Sequence, residues 1–156
     1  MKSMSYLVRP IQRNEWEDAM QLAWDTFLIY EAPEYSREGI NSFRNFIRDP
    51  ILKRMFIMGE YIAYGAFINE QIAGIIGIRN TSHISLLFVE TGQHHRGIAT
   101  ALVRHCVSKL KEHDIKTVTV NSSPYAVGFY HRIGFVDTSE EIVSDGIRYT
   151  PMKLTI

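Results

Sequence analysis

The chain has 156 residues, enough for one domain that buries a real core. Lys plus Arg and Asp plus Glu each total 17, so no overall field favours a nucleic acid or an anionic membrane as partner. One cysteine, Cys106, can neither staple the fold nor build a zinc site, and no metal is expected. It sits among Val103, Val107 and Leu110 and reads as a buried thiol in a reducing compartment. The opening Met-Lys-Ser-Met-Ser lacks the apolar core of a signal peptide, and no apolar run nears the roughly 20 residues that span a bilayer. A cytoplasmic protein is the expectation.

Residues 5–9 read as a first strand, stopped by Pro10. Asn14, with Glu17 three positions on, has the form of a capping box. Behind it Ala19, Met20, Ala23, Trp24, Phe27 and Leu28 recur at helical spacing and predict a buried stripe that ends at Ala32-Pro33. Ser36 can cap a second helix carrying Ile40, Phe43 and Ile47, until Asp49-Pro50 interrupts it. Residues 51–58 fit a further helical turn or the approach to a strand. From 61 the texture is β: 61–68 and 71–79 flank the turn Asn69-Glu70, and 83–90 forms the next strand. A polar loop leads to a helix from Gly97 to about His113. Residues 116–121 alternate Val118 and Val120 as a strand, 126–132 are helical, Gly134 breaks that helix, and strands follow around Phe135 and at 149–154. No linker, repeat or low-complexity stretch divides the chain, so 1–156 is read as one domain.

Two stretches carry chemistry. The first, Val89-Glu90-Thr91-Gly92-Gln93-His94-His95-Arg96-Gly97-Ile98-Ala99, runs strand, polar loop, glycine, helix. A helix N-terminus leaves its first amide protons unpaired and carries partial positive charge, so it seats phosphate. Gly97 lets the backbone approach the anion, and Ala99 keeps the next turn free of bulk. No Gly-x-x-x-x-Gly-Lys and no Gly-x-Gly-x-x-Gly is present, which argues against a P-loop or a Rossmann unit. The second stretch, from Asn121 through Tyr125, Ala126, Phe129 and Tyr130 to Gly134 and Phe135, follows about thirty residues later.

Together the two resemble the GNAT superfamily, the acyl-CoA-dependent N-acetyltransferases. The likeness is specific over 83–135; before that it rests on the order of elements. It implies an α/β fold of the α+β type: a mixed, mostly antiparallel sheet of about seven strands, splayed between strands 4 and 5, with helices on both faces. It further implies acetyl-CoA as cosubstrate, with pantetheine lying against backbone groups of Leu87, Phe88 and Val89. The Leu87 amide is placed to stabilise the oxyanion, and preorganised donors of that kind are typically worth about 10²–10³ in rate. Pyrophosphate would sit on the loop and helix start formed by His94, His95, Arg96, Gly97, Ile98, Ala99 and Thr100. The loop departs from the family pattern at its leading position, which is His94, with Gln93 displaced by one. Asn121 takes the place of a side chain against pantetheine. Tyr130 takes that of the acid that protonates the leaving thiolate, as a phenol of pKa about 10 can.

The amine's base is read less directly. His83 falls where one branch of the family carries a catalytic glutamate, and a group titrating near 6.5 suits that task. Glu90 lies on the opposite face by period-two alternation. Glu31 and Glu34, set among Tyr30 and Tyr35 in the loop after the first helix, would line the acceptor pocket and suit a cationic amine. The expected partner is a small-molecule amine; a protein amine, a non-catalytic acyl-CoA sensor and a homodimer stay open.

Overall fold

The computed structural model describes residues 5–94 and 96–156. Strand β1 (Leu7–Pro10) leads through a tight turn, Arg13–Glu15, into α1 (Trp16–Tyr30). The box at the start of this helix lies two residues before the expected one. The Gln12 amide donates to Glu15 Oε1 at 2.8 Å, and the same carboxylate pairs with Arg9 at 2.9 Å. Trp16, Ala19, Met20, Ala23 and Phe27 are buried as one stripe, while Leu28 is 43% exposed and lies outside it. Ser36 caps α2 (Arg37–Arg48), its hydroxyl accepting from the Gly39 amide at 3.2 Å. Asp49 and Pro50 do not simply end α2; they cap and begin α3 (Pro50–Ile57), which settles the ambiguous stretch as helix.

Strands β2 (Ile62–Ile68) and β3 (Gln71–Arg79) form a hairpin over Asn69 and Glu70, whose φ angles of 51° and 68° are those of a type I′ turn. Next come β4 (His83–Val89), α4 (Ile98–Glu112), β5 (Thr117–Ser122), α5 (Val127–Arg132), β6 (Val136–Asp137), β7 (Ile142–Ser144) and β8 (Ile147–Thr155). The sheet runs β1-β2-β3-β4-β5-β8-β6, with β7 on β8. It therefore has eight strands among the described residues, one more than expected. The addition is β7, whose three residues, Ile142, Val143 and Ser144, are all exposed and too few to show a period.

Two apolar layers cover the sheet. On one face Ile76, Ile78, Ile84, Val118 and Val120 pack with Ile98, Leu102 and Cys106 of α4. Cys106 is 1% exposed, and burial pushes its thiol up to about 12. On the other face Ile75, Leu86 and Phe88 meet α1 and α2, where Phe27 and Phe43 stack at 4.1 Å.

One irregularity changes how β4 presents its side chains. Ile84 pairs with Ile78, but Leu86 pairs with Gly77, so Ser85 is an extra residue between them. Past the bulge the parity switches. Ile84, Leu87 and Val89 belong to the α4 face, whereas Leu86 and Phe88 belong to the α1 face. Simple alternation thus fails here: Glu90 lines a cleft with α1 residues Asp18, Leu22 and Thr26, while His83 faces Phe43 and Phe46 of α2, so both are on the same side. Tyr61, 1% exposed, fixes the bulge through a 2.7 Å hydrogen bond to Ser85 Oγ. A methyl on Gly77 would run into the Tyr61 hydroxyl. Gly77→Ala is expected to lower unfolding free energy by about 1–3 kcal/mol, the range for overpacking, as read by urea denaturation.

Candidate active site

Strand β4 is parallel to β5 but paired with it through two residues only, His83 with Thr119 and Ile84 with Val120. Beyond that point the strands part. The gap opens on a cavity of about 440 Å³ whose walls come from four parts of the chain. Leu87, Phe88 and Val89 supply the strand side, and Gly97 to Thr100 supply the helix start. Phe129 and Tyr130 come from α5, and Thr26, Tyr30 and Glu31 from the end of α1.

The helix start has the geometry of an anion seat. Gly97 is the N-cap of α4 at φ 77°, ψ 10°, a left-handed conformation that glycine adopts without strain. The first intrahelical bond is from the Ala101 amide to the Gly97 carbonyl at 2.9 Å. The amides of Ile98, Ala99 and Thr100 therefore have no intrahelical acceptor. No side chain caps them and no acidic residue lies in the first turn. The loop side chains are engaged in holding the loop: His94 Nε2–H donates to the Val89 carbonyl at 2.8 Å, and Arg96 donates to Gln93 Oε1 at 2.9 Å. His94 lines the cavity as well, its ring 4.8 Å from that of Tyr30. His95 lies outside the described residues.

Tyr130 is 3% exposed, with its ring edge-on to Phe129 at 5.2 Å and to Phe135 at 5.1 Å. Among the described residues its hydroxyl has no hydrogen-bond partner, although it lines the cavity. Burial, reinforced by the charge of Glu31, raises its pKa well above the usual phenol range. It therefore stays protonated at any physiological pH.

The other expected site residues are distributed differently. His83 and Asn121 line a second cavity, of about 360 Å³, with Tyr35, Arg79, Ser85 and Tyr149. His83 Nδ1 is 2.8 Å from Thr119 Oγ1, and burial together with Arg79 lowers its pKa. His83 and Tyr130 thus open on separate cavities, and Asn121 goes with His83. Glu34 lines neither cavity and receives a hydrogen bond from Arg148 at 3.3 Å. Glu31 lines the first cavity, half-buried, and burial pushes its carboxyl up to about 7. Tyr125, which bore no assigned role, lines it too, its ring tilted by 31° and 5.0 Å from that of Tyr30. The aromatic spacing of the Tyr125 to Tyr130 stretch was the signal available for it.

A parted pair of parallel strands, an open helix N-terminus and a buried tyrosine thus meet at one cavity. The family described as the acetyltransferase (GNAT) domain matches residues 31–156, and the chain belongs to it. No curated protein matches the sequence significantly. Solved structures do match in fold. A GCN5-related N-acetyltransferase from Rhodopseudomonas palustris is similar at 18% identity and a TM-score of 0.84, over 100% of this chain and 99% of that one. The PaiA N-acetyltransferase from Thermoplasma acidophilum, in complex with coenzyme A, is similar at 21% identity and 0.80, over 98% and 100%. The ribosomal-protein-S18-alanine N-acetyltransferase from Escherichia coli is similar at 14% identity and 0.63, over 97% and 94%.

Proposed function

We propose that the protein transfers the acetyl group of acetyl-CoA to a primary amine of a small molecule by direct attack within a ternary complex. The observation that carries this reading is the first cavity, which joins the open end of α4 to the Tyr130 hydroxyl along the parted edge of β4. Pyrophosphate would sit on the amides of Ile98, Ala99 and Thr100. Pantetheine would run beside Leu87, Phe88 and Val89, and the Leu87 amide would meet the thioester oxygen as it gains charge. Most of these contacts are backbone contacts, so the unusual His94 does not weaken them. In the reaction a C–N bond forms, the C–S bond breaks, and the sulfur takes the Tyr130 proton. His83 and Asn121 would position the body of the acceptor from the second cavity.

The second cavity, of about 360 Å³, falls within the range of small-ligand sites, which supports a metabolite-sized acceptor. Incubation with acetyl-CoA and a panel of small primary amines, read as free thiol release, is the test. Amine-dependent release is expected. Binding of CoA without release by any amine of the panel would overturn the small-molecule reading in favour of a protein amine or an acyl-CoA sensor.

A further inference from the structure

Glu31 occupies a position that does nothing for folding stability. It is the C-cap residue of α1, a 15-residue helix, at the end where the backbone dipole is negative and a carboxylate is disfavoured. Among the described residues the hydrogen-bond partner of its carboxylate is the Tyr35 hydroxyl, at 3.5 Å, the long limit for such a bond. The groups that face it from neighbouring elements are phenols. Tyr30 is adjacent, Tyr35 comes from the following turn, Tyr125 from the segment after β5 and Tyr130 from α5. The charge of Glu31 contributes to the raised pKa of Tyr35, Tyr125 and Tyr130, which places all three within its field. The nearest acid, Glu34, is paired with Arg148 instead. His94 and Arg132 line the same cavity, yet neither is within ion-pair distance of Glu31. A half-buried carboxylate ringed by aromatic hydroxyls, with no cation paired to it among the described residues, suits one brought from outside.

We propose that Glu31 holds the acceptor's ammonium group and takes its proton, acting as the catalytic base beside Tyr130. The proposal deepens the acetyltransfer reading and rests on it. Glu31 carboxylate accepts one proton from R–NH3⁺ and later passes it to solvent. The neutral amine attacks the thioester carbon, Tyr130 protonates the departing sulfur, and the second nitrogen proton returns through solvent to the Tyr130 oxygen. One proton is released overall, and no oxidant or further reactant is needed. A carboxyl raised toward neutrality by burial can both ion-pair with the ammonium and hold its proton. Tyr30 and Tyr125 add ring faces to that end of the cavity, which suits an ammonium on a short alkyl arm.

The test compares wild type, Glu31→Gln and His83→Ala with acetyl-CoA and two acceptors: the best alkylamine of the panel and its β,β,β-trifluorinated analogue, which is already mostly neutral at pH 7. Wild-type kcat/KM for the alkylamine is expected to rise with pH through a group near 7. Glu31→Gln should lose that limb and about 10² in kcat/KM for the alkylamine at pH 7, less than about tenfold for the fluorinated amine, with unchanged CoA affinity. His83→Ala should keep the limb. A limb retained in Glu31→Gln, a limb lost in His83→Ala, or equal losses with both amines would overturn the proposal. Wild type that acetylates no amine would instead remove the acetyltransfer reading on which it stands.

A second readout does not need turnover. The raised carboxyl means that the fold binds a proton the unfolded chain has already lost, so this group's contribution to stability falls as pH climbs from about 4.5 to about 7. Glu31→Gln should therefore raise Tm more at pH 8 than at pH 5. A pH-independent difference would show that Glu31 is not held in the environment the proposal requires.

Discussion

Tyr130→Phe is expected to lower turnover by about 10²-fold while CoA binds as before. The substitution removes one oxygen and keeps the ring, so the edge-on packing against Phe129 and Phe135 survives. That oxygen is the polar group of a residue only 3% exposed, and no protein group among those described takes its hydrogen. A side chain buried for packing alone would be phenylalanine at no loss, because the hydroxyl borders the cavity and holds together no other part of the fold. Tyr130→Phe should therefore be neutral or slightly stabilising in thermal unfolding and damaging in turnover. This opposition of signs separates an acid from a wall residue. The raised pKa also fixes the pH dependence: Tyr130 remains protonated across neutral and moderately alkaline pH, so the high-pH side of the profile should not report it below pH 10. Measurement of kcat, CoA affinity and Tm in one buffer series checks all three. Wild-type turnover in the variant would leave Tyr130 with a packing role.

The chain-local elements around the proposed site are legible in the sequence. The loop ending at Gly97 and the helix after it form a signal because the left-handed cap at Gly97 and the helix start are backbone features, which a glycine followed by an amphipathic run encodes in sequence order. The turn at Asn69-Glu70 and the cap at Ser36 were legible for the same reason. What depended on distant partners was not. Ser85 bulges because Tyr61, far off in sequence, hydrogen-bonds it, and nothing in His83 to Val89 reveals where alternation breaks. The bulge carried Glu90 to the face that His83 occupies. Strand β7 escaped because an exposed three-residue edge has no apolar period to show.

The proposed proton acceptor illustrates the same limit. His83 was attractive by its place on β4 and by its ordinary titration range, both local properties. In the fold it is hydrogen-bonded to Thr119 and opens on the neighbouring cavity. Glu31 looked like one of two acids in a solvated loop. Only the packing of the end of α1 against α5 and the segment after β5 distinguishes it from Glu34, which the β7–β8 hairpin draws away through Arg148. That hairpin is itself clamped to α2: the Gly146 carbonyl receives the Ser36 amide at 3.1 Å, and a methyl on Gly39 would collide with it. The two acids thus part company through contacts made by the last strands of the chain.

Gly97→Val should weaken CoA binding by about 10²-fold and leave pantetheine binding nearly unchanged. The reason is backbone conformation. A side chain at this position would meet no atom closer than the Tyr6 hydroxyl at 4.0 Å, so there is room for it. At φ 77°, however, an L-residue costs about 1–2 kcal/mol, and β-branching adds crowding. The chain can relieve that strain by turning the peptide before Ile98 out of the left-handed region, which re-aims the amides at the helix start. Either outcome acts on the anion seat: strain raises the cost of the binding-competent loop, and reorientation removes donors from it. Each 1.4 kcal/mol lost is tenfold in affinity. Gly97→Ala carries the left-handed penalty without branching and should fall between wild type and valine, at about tenfold. Pantetheine lacks the pyrophosphate and contacts the edge of β4 instead, so calorimetry with both ligands separates loss of the anion seat from general damage. Equal weakening of CoA and pantetheine would point to a displaced α4, and unchanged CoA binding would move the pyrophosphate away from this helix altogether.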